Sequence, residues 1–424
     1  MGAVLDLAEQ YWTGEISTVD VHPFTELRGL EELTDDLAFV SSFANVTALR
    51  TDEGLLLVDT GNFLLATHLH AQIRAWTDAP VCKAVYTHGH VDHVFGLGPF
   101  EQEARDRNQP APEVIAHEAV SARFDRYVLT SGYNGVINAR QFGMQSLDWP
   151  TDYRHPDRTY QDALELQVGD QRVQLFHDRG ETDDHTWVWL PDRRTLCAGD
   201  LFIWAAPNCG NPQKAQRYPR EWAAALRKMA ALEPEQLLPG HGPPIVGHDR
   251  VQLALTETAE LLETLVEQTL RLMNEGATLD DVLHTVKAPD RLLQRPYLRP
   301  VYDEPCFIVR NLWRQYGGWY DGNPAHLKPA PDAQLAAELT RLSGGADVLS
   351  KRAADLSEQG DHALACHLVE LASRASAAPG VWEIRRAVYR ARAKHEVSLM
   401  AKGIYNDAAD RAPPAEDRGD ASND

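Results

Sequence analysis

Short apolar runs separated by turn residues fill the chain from about residue 20 to 245, and longer stripes at helical spacing replace them afterwards. Asn45–Arg50 and Gly54–Gly61 read as paired strands joined by a Thr51-Asp52-Glu53 turn. Leu64 to Trp76 has helical periodicity and leads into Val81–Thr87, a β-branched and aromatic run that reads as a buried strand. Arg172–His177, Thr186–Leu190 and Thr195–Asp200 follow as strands, with Pro191–Arg194 turning between the last two. After Pro244, Asp249 to Asn274 forms one long amphipathic helix carrying Leu253, Leu255, Leu261, Leu262, Leu265, Leu270 and Leu272, and Gly276 ends it. Thr278-Leu279-Asp280-Asp281 is a capped start for a short helix. From Pro331 the text is nearly all helix, broken at Gly344-Gly345, Gly360-Asp361 and Ala378-Pro379-Gly380 into antiparallel hairpins.

At 424 residues the chain has room for two or three domains. With 43% hydrophobic and 24% charged residues it has an ordinary globular composition, and no apolar run approaches a membrane span. Its 41 basic and 62 acidic residues leave a net charge of −21, which repels phosphate backbones and anionic lipid. Neither nucleic acid nor a membrane is therefore expected as a partner. The first ten residues lack a basic region and a long apolar stretch, so the expectation is a cytoplasmic protein. Cys82, Cys197, Cys209, Cys306 and Cys366 are scattered, odd in number and without a CxxC pair, as reduced thiols would be.

Chemistry concentrates in Thr87-His88-Gly89-His90-Val91-Asp92-His93. His88 and His90, two apart on an extended segment, can share one ion, and Asp92 and His93 can face a second beyond the turn. The ligands would lie at the carboxyl end of a strand, where α/β sheets place their sites. A histidine-rich surface loop is the bland alternative, and it leaves three later features unexplained. Glu181 opens a segment after a strand, Asp200 closes another strand, and His241 sits on the tight Pro239-Gly240-His241 turn. Singly, a Gly-Asp is usually a turn and a Pro-Gly-His usually a loop; in this order they reinforce one another.

The pattern resembles the metallo-β-lactamase fold superfamily, whose signature is HxHxDH, a Gly-His, a strand-terminal Asp and a Pro-Gly-His. Glu181 departs from it, standing where a histidine is usual. A glutamate there with a second carboxylate nineteen residues on, here Asp200, resembles the alkyl sulfatase branch, although that branch more often has Glu at the second position. Arg314–Leu327, reading RQYGGWYDGNPAHL, is similar to the YxGWFDGNPAxL signature of the same enzymes and sits where their helical dimerisation domain begins. The resemblance implies an α/β fold, an αββα sandwich over residues 1–250, followed by an all-α dimerisation domain over 251–406. Residues 407–424 are expected to be a disordered tail, and the chain a homodimer. The hairpins also resemble a tetratricopeptide array, with two units too few for a repeat.

By resemblance, His88, His90 and Glu181 hold one divalent ion, Asp92, His93 and His241 another, and Asp200 bridges them, the ions being zinc. The implied activity is hydrolysis of a sulfate ester or similar small anionic ester by a metal-bridging hydroxide, with Asp92, Asp200 and His185 catalytic. His185 could donate a proton to the leaving group or support Glu181; a purely structural histidine is the alternative. Tyr133, Asn134 and Arg140 match a substrate-proximal family segment and are candidate donors to the sulfate, against a structural reading at a glycine turn. The family's Ser-His-Asn run before its GW[YF]DGNP signature is replaced by Cys306-Phe307-Ile308, while Arg310 falls at a lysine position and can pair with an anion. That departure favours, as a second reading, a thioesterase, lactonase or phosphodiesterase on the same scaffold. A helical interaction protein with a structural metal is the third, and one tightly held ion per chain would mark it where two would mark catalysis.

Overall fold

The computed structural model describes residues 2–413. Seven strands form the first sheet in chain order: β1 Gly29–Thr34, β2 Leu37–Ser41, β3 Val46–Thr51, β4 Gly54–Val58, β5 Val81–Val85, β6 Glu113–His117 and β7 Arg158–Tyr160. Its first four strands are antiparallel, and β4 to β7 run parallel. The second sheet has the order β13-β12-β11-β10-β9-β8. Its strands are β8 Ala163–Val168, β9 Gln171–His177, β10 Thr186–Leu190, β11 Thr195–Ile203, β12 Gln236–His241 and β13 Ile245–Val246.

Period-two alternation places alternate residues of each strand on opposite faces. Phe39, Leu56, Val85 and Ile115 from the first sheet meet Val173, Leu175, Val188 and Leu238 from the second in one buried cluster. The other face of the first sheet buries Ala48, Leu57, Ala84 and Val114 against Leu69 and Ile73 of the helix Ala66–Trp76 and Phe124 of the helix Ala119–Leu129. The other face of the second sheet buries Trp187, Trp189 and Leu196 against Trp222, the leucines of the helix His248–Asn274, and Ile308 and Leu312 of the helix Pro305–Gly317. Two sheets between two helical layers is the expected αββα order.

The boundary differs from the expectation. Among the described residues one compact unit comprises 2–134 and 148–319, and the other 135–147 and 320–413. The first unit thus runs past residue 250, because the leucine stripe of His248–Asn274 is consumed by the sheet rather than by the helical hairpins. In the second unit the helices Asp332–Ser343, Ala346–Glu358, His362–Ala375, Pro379–His395 and Leu399–Asp410 alternate in short hairpins. Ala353, Leu356, Val369, Val388 and Ala409 form their core. The last helix enters the expected tail: Ala409 is buried, and Asp410 pairs with Arg390 at 2.5 Å. The rest of that expectation, residues 414–424, lies outside the described residues. Among the described residues no helix is long and apolar enough to cross a membrane.

Phe39 is fully buried between the sheets. Phe39→Ala should lower unfolding free energy by roughly 3–5 kcal/mol, read as a lower denaturant midpoint at unchanged m-value.

Candidate metal centre

Parallel pairing brings the carboxyl ends of β4 and β5 together and does the same for β11 and β12. At the first junction Asp59, in the left-handed region at φ +59°, turns its carboxylate onto the segment after β5. Its Oδ1 accepts the Thr87 backbone N–H at 2.7 Å, and its Oδ2 accepts the Thr87 hydroxyl at 2.8 Å. Oδ2 also meets His93 Nδ1 at 2.7 Å, so Nδ1 is the protonated nitrogen and Nε2 is left for a ligand role. His93 itself lies on a single helical turn, Val91–Val94, that also presents Asp92.

At the second junction the strand register shifts around Gly199, and Asp200 and His241 come side by side. The approach leaves no room for side chains. A Cβ on Gly240 would lie 2.0 Å from Asp200 Oδ1, and one on Gly199, at φ +51°, would lie 2.7 Å from His185 Cε1. Asn45 fastens the Pro239–Gly242 turn, its amide donating to the carbonyls of Pro239 and Gly242 at 3.0 and 2.8 Å. His241 Nδ1 donates to the Phe43 carbonyl, which aims Nε2 inward.

The seven expected ligand residues converge. His88, His90, Glu181 and Asp200 form one group whose donor atoms lie within 4.8 Å of one another, and Asp92, His93 and His241 form a second. His88 Nε2 is 3.6 Å from Glu181 Oε2 and 3.8 Å from Asp200 Oδ2. His241 Nε2 is 3.3 Å from the same Asp200 oxygen, and His93 Nε2 is 3.4 Å from the other. Two bonds of about 2.0–2.2 Å at a tetrahedral angle separate their donors by roughly 3.3–3.6 Å. His93 Nε2, Glu181 Oε2 and Asp200 Oδ1 are buried without a hydrogen-bond partner among the described residues. Buried orphans of this kind are costly unless an ion completes them. The residues therefore fit divalent metal, held by nitrogen and oxygen donors alone.

Burial and neighbours set the charges. Burial drives His88 and His90 well below the ordinary imidazole range. Burial opposes protonation of His93 too, yet Asp200, Asp59 and Asp92 hold it well above that range, and Asp200 raises His241 against its own burial. Asp200 is burdened by burial but held well below the carboxylate range by His241 and His93. Burial raises Glu181.

His185 is buried and stacks on His88, ring centroids 4.8 Å apart. Its Nε2 accepts the Asp200 backbone N–H at 3.1 Å, and burial lowers its pKa to about 3. It supports Asp200 rather than Glu181, and a ring so held neutral has its Nε2 lone pair occupied. The candidate substrate donors are more dispersed. Tyr133 is 62% exposed, and Asn134 is buried with its amide donating to the Thr130 carbonyl and hydroxyl at 3.0 and 2.8 Å. Arg140 belongs to the second compact unit, where it pairs with Asp407 at 3.2 Å. Arg310 is exposed on Pro305–Gly317, while Ile308 on that helix is fully buried.

Sequence reasoning missed Asp59, Asp184, Asn208 and Arg217. Asp184 accepts the Gly89 backbone N–H at 3.0 Å and the Arg123 guanidinium at 2.8 Å, fixing the loop between His88 and His90. Asn208 and Arg217 both donate to Glu181 Oε1. Asp59 alone had a local signal, a carboxylate at a strand end.

The metallo-beta-lactamase superfamily profile matches residues 41–241, and the alkyl sulfatase dimerisation profile matches 278–413. A linear primary-alkylsulfatase from Pseudomonas sp. is 30% identical over 348 residues, 77% of this chain and 66% of that protein. An (R)-specific secondary-alkylsulfatase from Pseudomonas sp. is 27% identical over 354 residues, 77% of this chain and 53% of the relative. The chain thus spans between half and two thirds of the length of these two alkylsulfatase relatives. In fold it resembles the stereoselective inverting sec-alkylsulfatase Pisa1 from Pseudomonas sp., with a TM-score of 0.81 at 22% identity over 92% of this chain and 67% of that one.

Protons on His93 and His241 compete with metal as soon as pH falls through their raised pKa values, whereas His88 and His90 stay neutral further down. Dialysis at decreasing pH should therefore remove the ion at Asp92, His93 and His241 first. Metal per chain should fall in two steps; simultaneous loss would contradict this order.

Proposed function

The chain belongs to the metallo-β-lactamase superfamily, in its alkyl sulfatase branch, and on that footing we propose that it is a metal-dependent hydrolase of sulfate esters. Asp200 carries the reading. One of its oxygens faces His88 and His241 and the other faces His93, so a single carboxylate serves both donor groups. A structural zinc is normally closed by four ligands and has no use for a second, adjoining set.

His88, His90 and Glu181 would hold one ion, Asp92, His93 and His241 the other, and Asp200 both. Two divalent ions bound there, zinc on this donor chemistry, would supply an activated water near neutral pH and take up charge on the departing oxygens. The protein's own part is preorganisation. Asp59 and the Phe43 carbonyl fix the tautomers of His93 and His241, and His185 holds the Asp200 backbone in place. Exclusion of water from this buried cluster strengthens each of these interactions. The reading includes a homodimer formed through the helical unit and a cytoplasmic location; the dimerisation profile and five free cysteines support these.

A thioesterase, lactonase or phosphodiesterase remains the second reading. It is favoured by the Phe307-Ile308 pair, apolar where the alkyl sulfatases resembled in sequence have polar, sulfate-facing side chains.

Zinc-loaded protein should release sulfate from at least one of a panel of primary, secondary and aryl sulfate esters, and Asp92→Ala should release none. No release from any ester, with two metals bound, would transfer the assignment to thioesters, lactones or phosphodiesters. Asp200→Ala and His241→Ala should each lose turnover by at least about 10²-fold with circular dichroism intact; activity retained in both would remove the two-metal reading.

A further inference from the structure

Glu181 gives the donor set one more negative charge than an imidazole would at that position. A counter-charge is built in beside it. Glu181 Oε1 accepts from the Arg217 guanidinium and from Asn208 Nδ2, and Arg217 Nη1 also donates to the Glu181 carbonyl at 3.1 Å. Glu181, Arg217 and Asn208 are 2%, 3% and 6% exposed. With Oε1 occupied, Oε2 is turned toward His88 Nε2 and His90 Nδ1, at 3.6 and 3.7 Å.

Arg217 is held as firmly as it holds. Asn311 donates to its carbonyl at 2.9 Å and accepts its backbone N–H at 3.5 Å. A guanidinium fixed at this depth is tolerable only while its carboxylate is present, because an unpaired buried charge is strongly unfavourable. We propose that Glu181 and Arg217 act as one neutral ligand unit, in which Arg217 cancels the charge Glu181 adds and leaves one oriented carboxylate oxygen for the ion. Arg217 is then a positioning residue, and the histidine usual at this station can replace Glu181 only if Arg217 is neutralised as well. The inference deepens the metal-site reading and rests on it.

The test uses the full chain with zinc content from elemental analysis, zinc affinity from chelator competition, and circular dichroism for the fold. Glu181→His alone should weaken zinc binding by about tenfold or more, the range typical of a lost supporting partner. Glu181→His/Arg217→Met and Glu181→His/Arg217→Gln should each recover most of that loss. Glu181→His/Arg217→Lys, which keeps the charge, should recover none. A purely structural arginine predicts no recovery in any background. Three results would overturn the proposal: Glu181→His binding zinc as tightly as the parent, neutral double variants no better than Glu181→His, or both neutral double variants failing to fold where Glu181→His folds. A parent chain that binds no zinc is a different failure, since it removes the metal-site reading itself.

Discussion

One carboxylate has to face two donor groups at once, and much of the surrounding geometry follows from that requirement. Asp200 reaches both from the last part of β11, where the ladder with β12 is already irregular. The neighbouring backbone must pass within van der Waals distance of its oxygens, which explains glycine at 240; at 199 the crowding comes from His185 and Thr87. His185 then takes the Asp200 N–H that the disturbed ladder leaves without a strand partner. A helix cannot supply this arrangement, because its N–H groups are committed along its own axis. The metal cluster is in that sense a property of how two parallel strands end.

Charge is the second constraint. Asp59, Asp200 and Glu181 are buried carboxylates, each 4% exposed or less, that face the imidazoles of His88, His90, His93 and His241. Burial alone would protonate all three. The structure resolves them differently. Asp59 is tied to His93 and Thr87, Asp200 is balanced by His93 and His241, and Glu181 is balanced by Arg217. The histidines divide accordingly: in His93 and His241 the aspartates outweigh burial and raise the imidazole, while in His88 and His90 burial prevails and, with neighbouring cations, lowers it. An acidic surface with a net charge of −21 leaves this internal balance to be struck locally.

The ligands themselves were legible because they lie in compact motifs whose chemistry has few other uses. Strands β3, β4, β9 and β10 were legible as short apolar, β-branched and aromatic runs between turn residues, and the helix His248–Asn274 through its leucine stripe. That stripe did not reveal what it packs against, so the boundary drawn at residue 250 fell inside a unit that runs to 319. The tail was judged by its Asp, Ala and Pro content, and Ala409 shows how one buried small residue can extend a helix into such a stretch. Asp184, Asn208 and Arg217 escaped detection for a related reason. They act on residues 27 to 95 positions away, through hydrogen bonds that leave no periodic trace.

The replacement at 306–308 takes on a different meaning in three dimensions. Gly210 has no space for a Cβ, which would lie 2.2 Å from Ile308 N, and Asp303 accepts the Gly210 N–H at 2.5 Å. The start of the helix Pro305–Gly317 is therefore pressed against the loop that carries Asn208, two residues before Gly210. One turn further along, Asn311 grips the backbone of Arg217. Both partners of Glu181 Oε1 are thus braced by the helix that holds the altered residues. Ile308 adds an apolar anchor beneath that brace, buried with Leu312 against the second sheet. An aliphatic residue here serves the rigidity of the ligand support, because its side chain is committed to the core rather than to the open side of the helix.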